Sequence, residues 1–195
     1  FYAIKTLKQL LSSKNELPCL IIDDEPDLKI RGYLLDISRN KIPTLKTLTG
    51  LIDLLADLKY NHFELYVEGF SFLYPSFKEL YTDETPITID DFKKLEKYCT
   101  QRCIDFVPNH NGLGHMSAWL ALPQYKSLAA IEEGMFMWGA HRDPSTLNPL
   151  DPRSLELVKT YTSDVLKLSK SPYFHLNLDE PYELGEGKTK AVTEK

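Results

Sequence analysis

Cysteine is scarce in this sequence: Cys19, Cys99 and Cys103 are the only three in 195 residues. An odd and sparse set excludes a disulfide framework as the device that organises the fold. A glycine-rich phosphate loop is also missing after the first apolar strand, which excludes the dinucleotide-binding form of an α/β protein. The nearest approach to one, Gly112 and Gly114, follows the third strand. Positive charge is nowhere gathered: 23 Lys and Arg are mixed with 28 Asp and Glu, for a net charge of −5. Without a basic stripe no nucleic-acid partner is expected. No apolar run is long enough to span a bilayer and no signal peptide is visible, so no membrane partner is expected. Localisation is left open between cytoplasm and secretion. The chain is 43% hydrophobic, 11% aromatic and 26% charged, enough to bury a sizeable core and suited to a neutral or polar ligand.

Apolar residues at helical spacing (Ile4, Leu7, Leu10, Leu11) predict a helix over 2–11, and residues 17–23 read as a short apolar strand. Asp24-Glu25-Pro26-Asp27 is a polar break. A rhythm then begins. Residues 29–38 read as a strand, 44–59 as an amphipathic helix, and 62–67 as a strand rich in aromatic and branched residues. Thr88 caps a helix running to about 102, with Asp90 and Asp91 in its first turn. Residues 104–108 form a third strand, and Asp151-Pro152 opens a helix to about 169. A fourth strand covers 173–178. Cys99 and Cys103, four apart on a helix, are expected to share a buried face, with metal or redox work as the alternative.

Alternating short strands and helices imply a parallel sheet with helical crossovers, either an open doubly wound sheet or a (β/α)8 barrel. Polar residues gather just after the strands: Glu68, the run from Asn109 to His115, then Asp179 and Glu180. Active sites of barrels collect at the carboxyl ends of strands, which favours the barrel. Four strands where a closed barrel needs eight make this the first half of one. Residues 28–195 are read as that half barrel and 1–27 as the end of a preceding α/β domain with its linker. Half a barrel leaves two open edges, so the isolated chain is expected to self-associate.

Asp179-Glu180 is the sharpest local feature. Adjacent carboxylates repel, which raises one pKa and keeps a proton available for cleaving a glycosidic bond. The pair is placed where the strand breaks, ahead of Pro181; a solvated acidic turn is the competing reading. His110 and His115, with Asp179, admit a metal reading, but no fourth donor is evident and lone histidines near a site are more often hydrogen-bonding groups. Trp119, Trp138 and the tyrosines belong either to the core or to a sugar-stacking floor. Arg31, in an apolar strand, is either paired structurally or used on a ligand.

Together these segments resemble glycoside hydrolase family 20, the β-N-acetylhexosaminidases. Phe1-Tyr2-Ala3, Thr6-Leu7 and Gln9-Leu10 are similar to the end of the family's non-catalytic domain. Asp24-Glu25-Pro26, Arg31-Gly32 and Leu35-Asp36-Ile37-Ser38-Arg39 resemble its linker and first barrel strand. Val107-Pro108 with Gly114-His115 resembles its third strand, and His175 through Glu180 the fourth, which delivers the Asp-Glu pair.

The resemblance implies an exo-acting retaining enzyme that removes terminal β-linked N-acetylglucosamine or N-acetylgalactosamine from an oligosaccharide or glycoconjugate. The substrate's acetamido oxygen is then the nucleophile, and neither metal nor cofactor is required. Asp179 would orient the acetamido group, Glu180 would be the acid/base, and His115 would tune Glu180. Arg31, Glu68 and Asn111 are the implied sugar contacts. The family usually has acids where Asn109 and Asn111 stand, which admits a second reading: a carbohydrate-binding relative that lost catalysis. A metal hydrolase on a half-similar barrel is the third.

Overall fold

The computed structural model describes every residue except 14, 15, 18, 40, 82–84, 194 and 195. Four parallel strands form the main sheet: β1 (Gly32–Asp36), β2 (His62–Val67), β3 (Asp105–Asn111) and β6 (His175–Asn177), in the order β1-β2-β3-β6. A separate antiparallel pair, β4 (Met135–Met137) and β5 (Ala140–Arg142), lies in the long connection after β3. Helices α1 (Tyr2–Ser13), α2 (Leu45–Asp57), α3 (Ile89–Thr100), the short α4 (Ser117–Leu120), α5 (Pro152–Leu166) and α6 (Lys190–Thr193) complete the order. This is a partial α/β barrel. Among the described residues no helix is long and apolar enough to cross a membrane.

Local chemistry sets the helix starts. The Thr44 hydroxyl accepts from the Thr47 amide at 3.3 Å to open α2. Thr88 and Asp91 satisfy each other's amides in a capping box ahead of α3. Asp151 caps α5 with Pro152 just inside it. Leu48, Ile52 and Leu55 then fall on one side of α2, and Phe92, Leu95 and Cys99 on one side of α3, all buried.

Strand alternation sorts the sheet into two faces. Phe63, Leu65, Val67, Phe106 and His110 point to the helices, where Phe106 meets Phe92 with ring centroids 5.0 Å apart. Burying each such aromatic contributes about 1.5–3 kcal/mol. The opposite, inner face carries His62, Glu64, Tyr66, Asn109, Asn111, His175 and Asn177. The parallel register sets Tyr66 beside Asn109, Asn109 beside His175, and Asn111 beside Asn177. Barrel interiors are usually filled with branched aliphatic residues. A polar interior must instead be hydrogen-bonded throughout.

Two local expectations are corrected, and one element is new. Residues 19–23 form no strand (Pro18 lies outside the described residues): Ile21 is 99% exposed and the segment has no ladder partner. Cys99 is buried, and burial pushes its thiol up to about 12, whereas Cys103 is exposed beyond the helix end in a left-handed conformation. The β4–β5 hairpin was not anticipated.

Candidate active site

The site forms where β2, β3 and β6 end. β6 stops at Asn177, whose side-chain oxygen accepts from the Asp179 amide at 3.2 Å. Glu180 then takes a left-handed φ of 48° and the Tyr182 amide donates back to its carbonyl at 2.8 Å, so the acidic pair sits on a sharp turn. Gly114 lets that turn approach the end of β3: a Cβ there would stand 2.0 Å from the Asp179 carbonyl oxygen. The next residue, His115, also has positive φ, at 55°, which turns its ring to the carboxylates.

His115 joins the acids of two strands. Its Nε2 lies 3.0 Å from Glu180 and 3.6 Å from Asp179, and its Nδ1 lies 3.4 Å from Glu68. The His115 and Glu68 side chains are mostly covered, while those of Asp179 and Glu180 are 42% and 54% exposed. Tyr66 bridges the rest. Its hydroxyl accepts from Asn111 Nδ2 at 2.9 Å, donates to Glu68 at 2.7 Å, and lies 3.3 Å from Asp179. Arg39, just past β1, reaches Glu68 at 2.6 Å and also pairs with Asp36, its guanidinium 5.4 Å from the Tyr66 ring centre. A cleft of about 620 Å³ opens beside these groups; its lining includes Ser38, Lys41, Glu68 and His115 but not Asp179 or Glu180. The acidic pair stands on the open side of His115.

Electrostatics differ from the simple expectation of repulsion. The Glu180 carboxyl is held below its ordinary range, chiefly by the Tyr182 hydroxyl, with His115 and Arg39 adding positive potential. These partners outweigh the desolvation that would raise it. Tyr182 is pushed up to about 12 by the same bond. Burial, with Glu68 and Asp179 adding to it, raises Tyr66 as well.

Beneath the site the inner face is one connected polar network. Glu64 accepts from Asn109 Nδ2 at 2.6 Å and lies 2.6 Å from His62 Nε2 and 3.0 Å from His175 Nδ1. Burial would raise the Glu64 carboxyl, but these partners outweigh it and hold it lower. Asn177 donates to Asn109 at 3.2 Å, linking the network to the Asp179 turn. Both unexpected asparagines are therefore donors to groups on β2, where an acid would need a proton to do the same. The acids stand at Glu64 on β2 and at Glu68 just past its end. Asn111 Oδ1 is buried without a partner among the described residues.

The structure thus brings His115, Glu68, Asn111, Asp179 and Glu180 together and leaves Arg31 out. Arg31 precedes β1, at the amino end of the sheet, and donates to Lys59 O and Leu28 O at 2.8 and 2.7 Å. A parallel strand carries its first and last residues to opposite ends of the barrel, so Arg31 stands apart from the carboxylates, and Arg39 is the arginine placed beside them. Strand direction was the available signal for Arg39. Tyr66 and Tyr182 had none beyond being tyrosines near strand ends. His110 is also excluded: it faces the helices, 2.7 Å from the Tyr74 hydroxyl, and burial lowers its pKa to about 3. Among the described residues, ligand atoms of His115, Asp179 and Glu180 lie within 4.8 Å of one another, close enough to hold a cation.

A β-hexosaminidase of Porphyromonas gingivalis is 26% identical across 92% of the chain, which spans 26% of that protein. A β-hexosaminidase of Akkermansia muciniphila is 26% identical across 95% of the chain and 42% of its own length. The structure of Flavobacterium johnsoniae chitobiase superposes with a TM-score of 0.70 at 25% identity, covering 87% of this chain and 27% of that one. The chain spans less than half the length of these relatives. The profile of the glycosyl hydrolase family 20 catalytic domain matches residues 29–194, and the chain belongs to that family.

Proposed function

We propose that the protein containing this chain is an exo-acting, retaining β-N-acetylhexosaminidase and that its substrate's acetamido group is the nucleophile. The observation that carries this reading is the placement of Asp179 and Glu180 against one imidazole. A double-displacement glycosidase needs its nucleophile and acid on opposite sides of the anomeric carbon, about 5–5.5 Å apart. Neighbouring residues that share His115 stand on one side and cannot bracket the sugar. The resemblance to glycoside hydrolase family 20 supplies the missing nucleophile: the substrate's own N-acetyl oxygen.

Asp179 accepts the acetamido N–H and aims its carbonyl oxygen at C1. As that oxygen bonds to C1 and the glycosidic bond breaks, the Glu180 proton passes to the leaving oxygen. Glu180 then takes a proton from water, whose oxygen attacks C1 and reopens the oxazoline with net retention. His115, steadied by Glu68, positions Glu180. Arg39 offers guanidinium donors to sugar hydroxyls, and Asn111 offers a buried acceptor. Binding of a sugar strips water from the exposed Glu180 and raises its pKa toward that of a working acid. The substrate class is a glycan or glycoconjugate ending in N-acetylglucosamine or N-acetylgalactosamine.

The reading of a binding-only relative rested on Asn109 and Asn111, and their donor roles to Glu64 and Tyr66 weaken it. Glu180→Gln in the full-length protein separates the two. Loss of kcat by about 10²–10⁴-fold, with thiazoline-type inhibitor binding kept, supports acid/base work. An unchanged kcat removes Glu180 from the mechanism.

A further inference from the structure

The β4–β5 hairpin closes through Trp138-Gly139, both with positive φ, 52° and 78°. Two-residue turns of this kind favour Asn-Gly or Gly-Gly. A bulky residue in the left-handed region is an outlier, and such strain persists where the surroundings hold it in place. Nothing in core packing calls for tryptophan here, because Trp138 is 67% exposed.

Its surroundings point to the acid/base. The indole meets the Tyr182 ring edge-on, with centroids 4.8 Å apart and planes at 86°. Tyr182 in turn is held against Glu180, its amide donating to the Glu180 carbonyl at 2.8 Å. Arg142 lies 5.8 Å from the Trp138 ring centre and supplies donors at the same corner. The hairpin is clamped to the segment that carries Glu180. Buried Glu183 accepts from the Ser145 amide at 2.8 Å and from the Thr146 hydroxyl, and the Lys188 amide donates to Ala130 O at 3.0 Å. At Gly134 the hairpin's strands press so close that a Cβ would stand 1.9 Å from Arg142 O. Trp138 is therefore fixed relative to Glu180.

A proton donor stands on the side from which the leaving group departs. We propose that Trp138, together with Tyr182, forms the subsite that receives the leaving group and selects a pyranose ring there, the ring's C–H face lying against the indole. The proposal rests on Glu180 being the proton donor.

The test compares wild-type full-length protein with Trp138→Ala on two substrates. One is the β-1,4-linked disaccharide of N-acetylglucosamine; the other is N-acetyl-β-glucosaminyl fluoride, whose leaving group reaches no subsite. The expected result is a fall of about 10-fold in kcat/KM for the disaccharide, with the fluoride within about twofold of wild type. Equal losses on both substrates, or no loss on either, overturn the proposal. If the wild type cleaves neither substrate, the hexosaminidase reading fails, and the subsite is judged by binding alone. A disaccharide-induced change in tryptophan emission that is absent in Trp138→Phe then supports it, and no such change overturns it.

Discussion

Gly114 allows a quantitative test of how the acidic pair is placed. A methyl group at this position would stand 2.0 Å from the Asp179 carbonyl oxygen and 2.9 Å from the Glu180 carbonyl carbon and oxygen. These neighbours are backbone, so no rotamer change relieves the clash. To reach the 3.4 Å at which ordinary contact begins, the turn must retreat by about 1.4 Å. Overpacking of this kind costs about 1–3 kcal/mol of stability. A displacement of about 1 Å at reacting groups costs on the order of 100-fold in rate. Gly114→Ala in the full-length protein should keep its far-UV circular dichroism, lose about 1–3 kcal/mol in urea unfolding, and lose about 100-fold in kcat on an aryl N-acetyl-β-glucosaminide. A kcat within about threefold of wild type would refute the claim that this close approach sets the geometry of the pair.

Further expectations concern titration and assembly. Tyr182→Phe removes the bond that holds the Glu180 carboxyl low, so its pKa rises. The basic limb of the kcat/KM profile, which requires protonated Glu180, should move to higher pH, and an unmoved limb contradicts the assignment. His110 takes its proton near pH 6.5 when unfolded but only at about 3 when folded. Its contribution is complete above pH 6.5 and is lost as pH falls from there toward 3, at about 1.4 kcal/mol per pH unit. Urea unfolding of wild type and His110→Phe across pH 5–7 should show that slope in the first and its loss in the second; equal slopes refute it. Residues 1–195 expressed alone leave β1 and β6 as sheet edges, with Leu34, Leu176 and Leu178 each more than 40% exposed. Sedimentation should show self-association, and a clean monomer with a cooperative transition counts against it.

Much of the framework was legible because its signals are local. The aromatic and branched run 62–67 is β2 to the residue, and Thr88 and Asp151-Pro152 mark where α3 and α5 begin. Polar residues after strands likewise marked the end of the barrel where His115, Asp179 and Glu180 meet. What escaped depends on partners that sequence spacing does not carry. The apolar run around Ile21 has the composition of a strand but no neighbour to pair with. The β4–β5 hairpin has strands of three residues and a Trp-Gly turn in place of the usual Asn-Gly signal. A charge beside an apolar strand is costly, which makes Arg31 conspicuous in the sequence, but backbone carbonyl partners meet that cost at the amino end of the strand. The asparagines read as losses in the sequence because it does not show their acceptors on β2, the Glu64 carboxylate for Asn109 and the Tyr66 hydroxyl for Asn111. The raised carboxyl pKa expected of adjacent acids is absent at Glu180 because Tyr182, His115 and Arg39 surround it.

Acetamido-assisted hydrolysis is the central claim, and a matched pair of substrates tests it most directly. The full-length protein is offered 4-nitrophenyl N-acetyl-β-glucosaminide and, separately, the 4-nitrophenyl β-glucoside that lacks the acetamide. Cleavage of the first without the second is the predicted result. Comparable cleavage of both would show a nucleophile supplied by the protein, and cleavage of neither by a folded enzyme would contradict catalysis at Asp179 and Glu180.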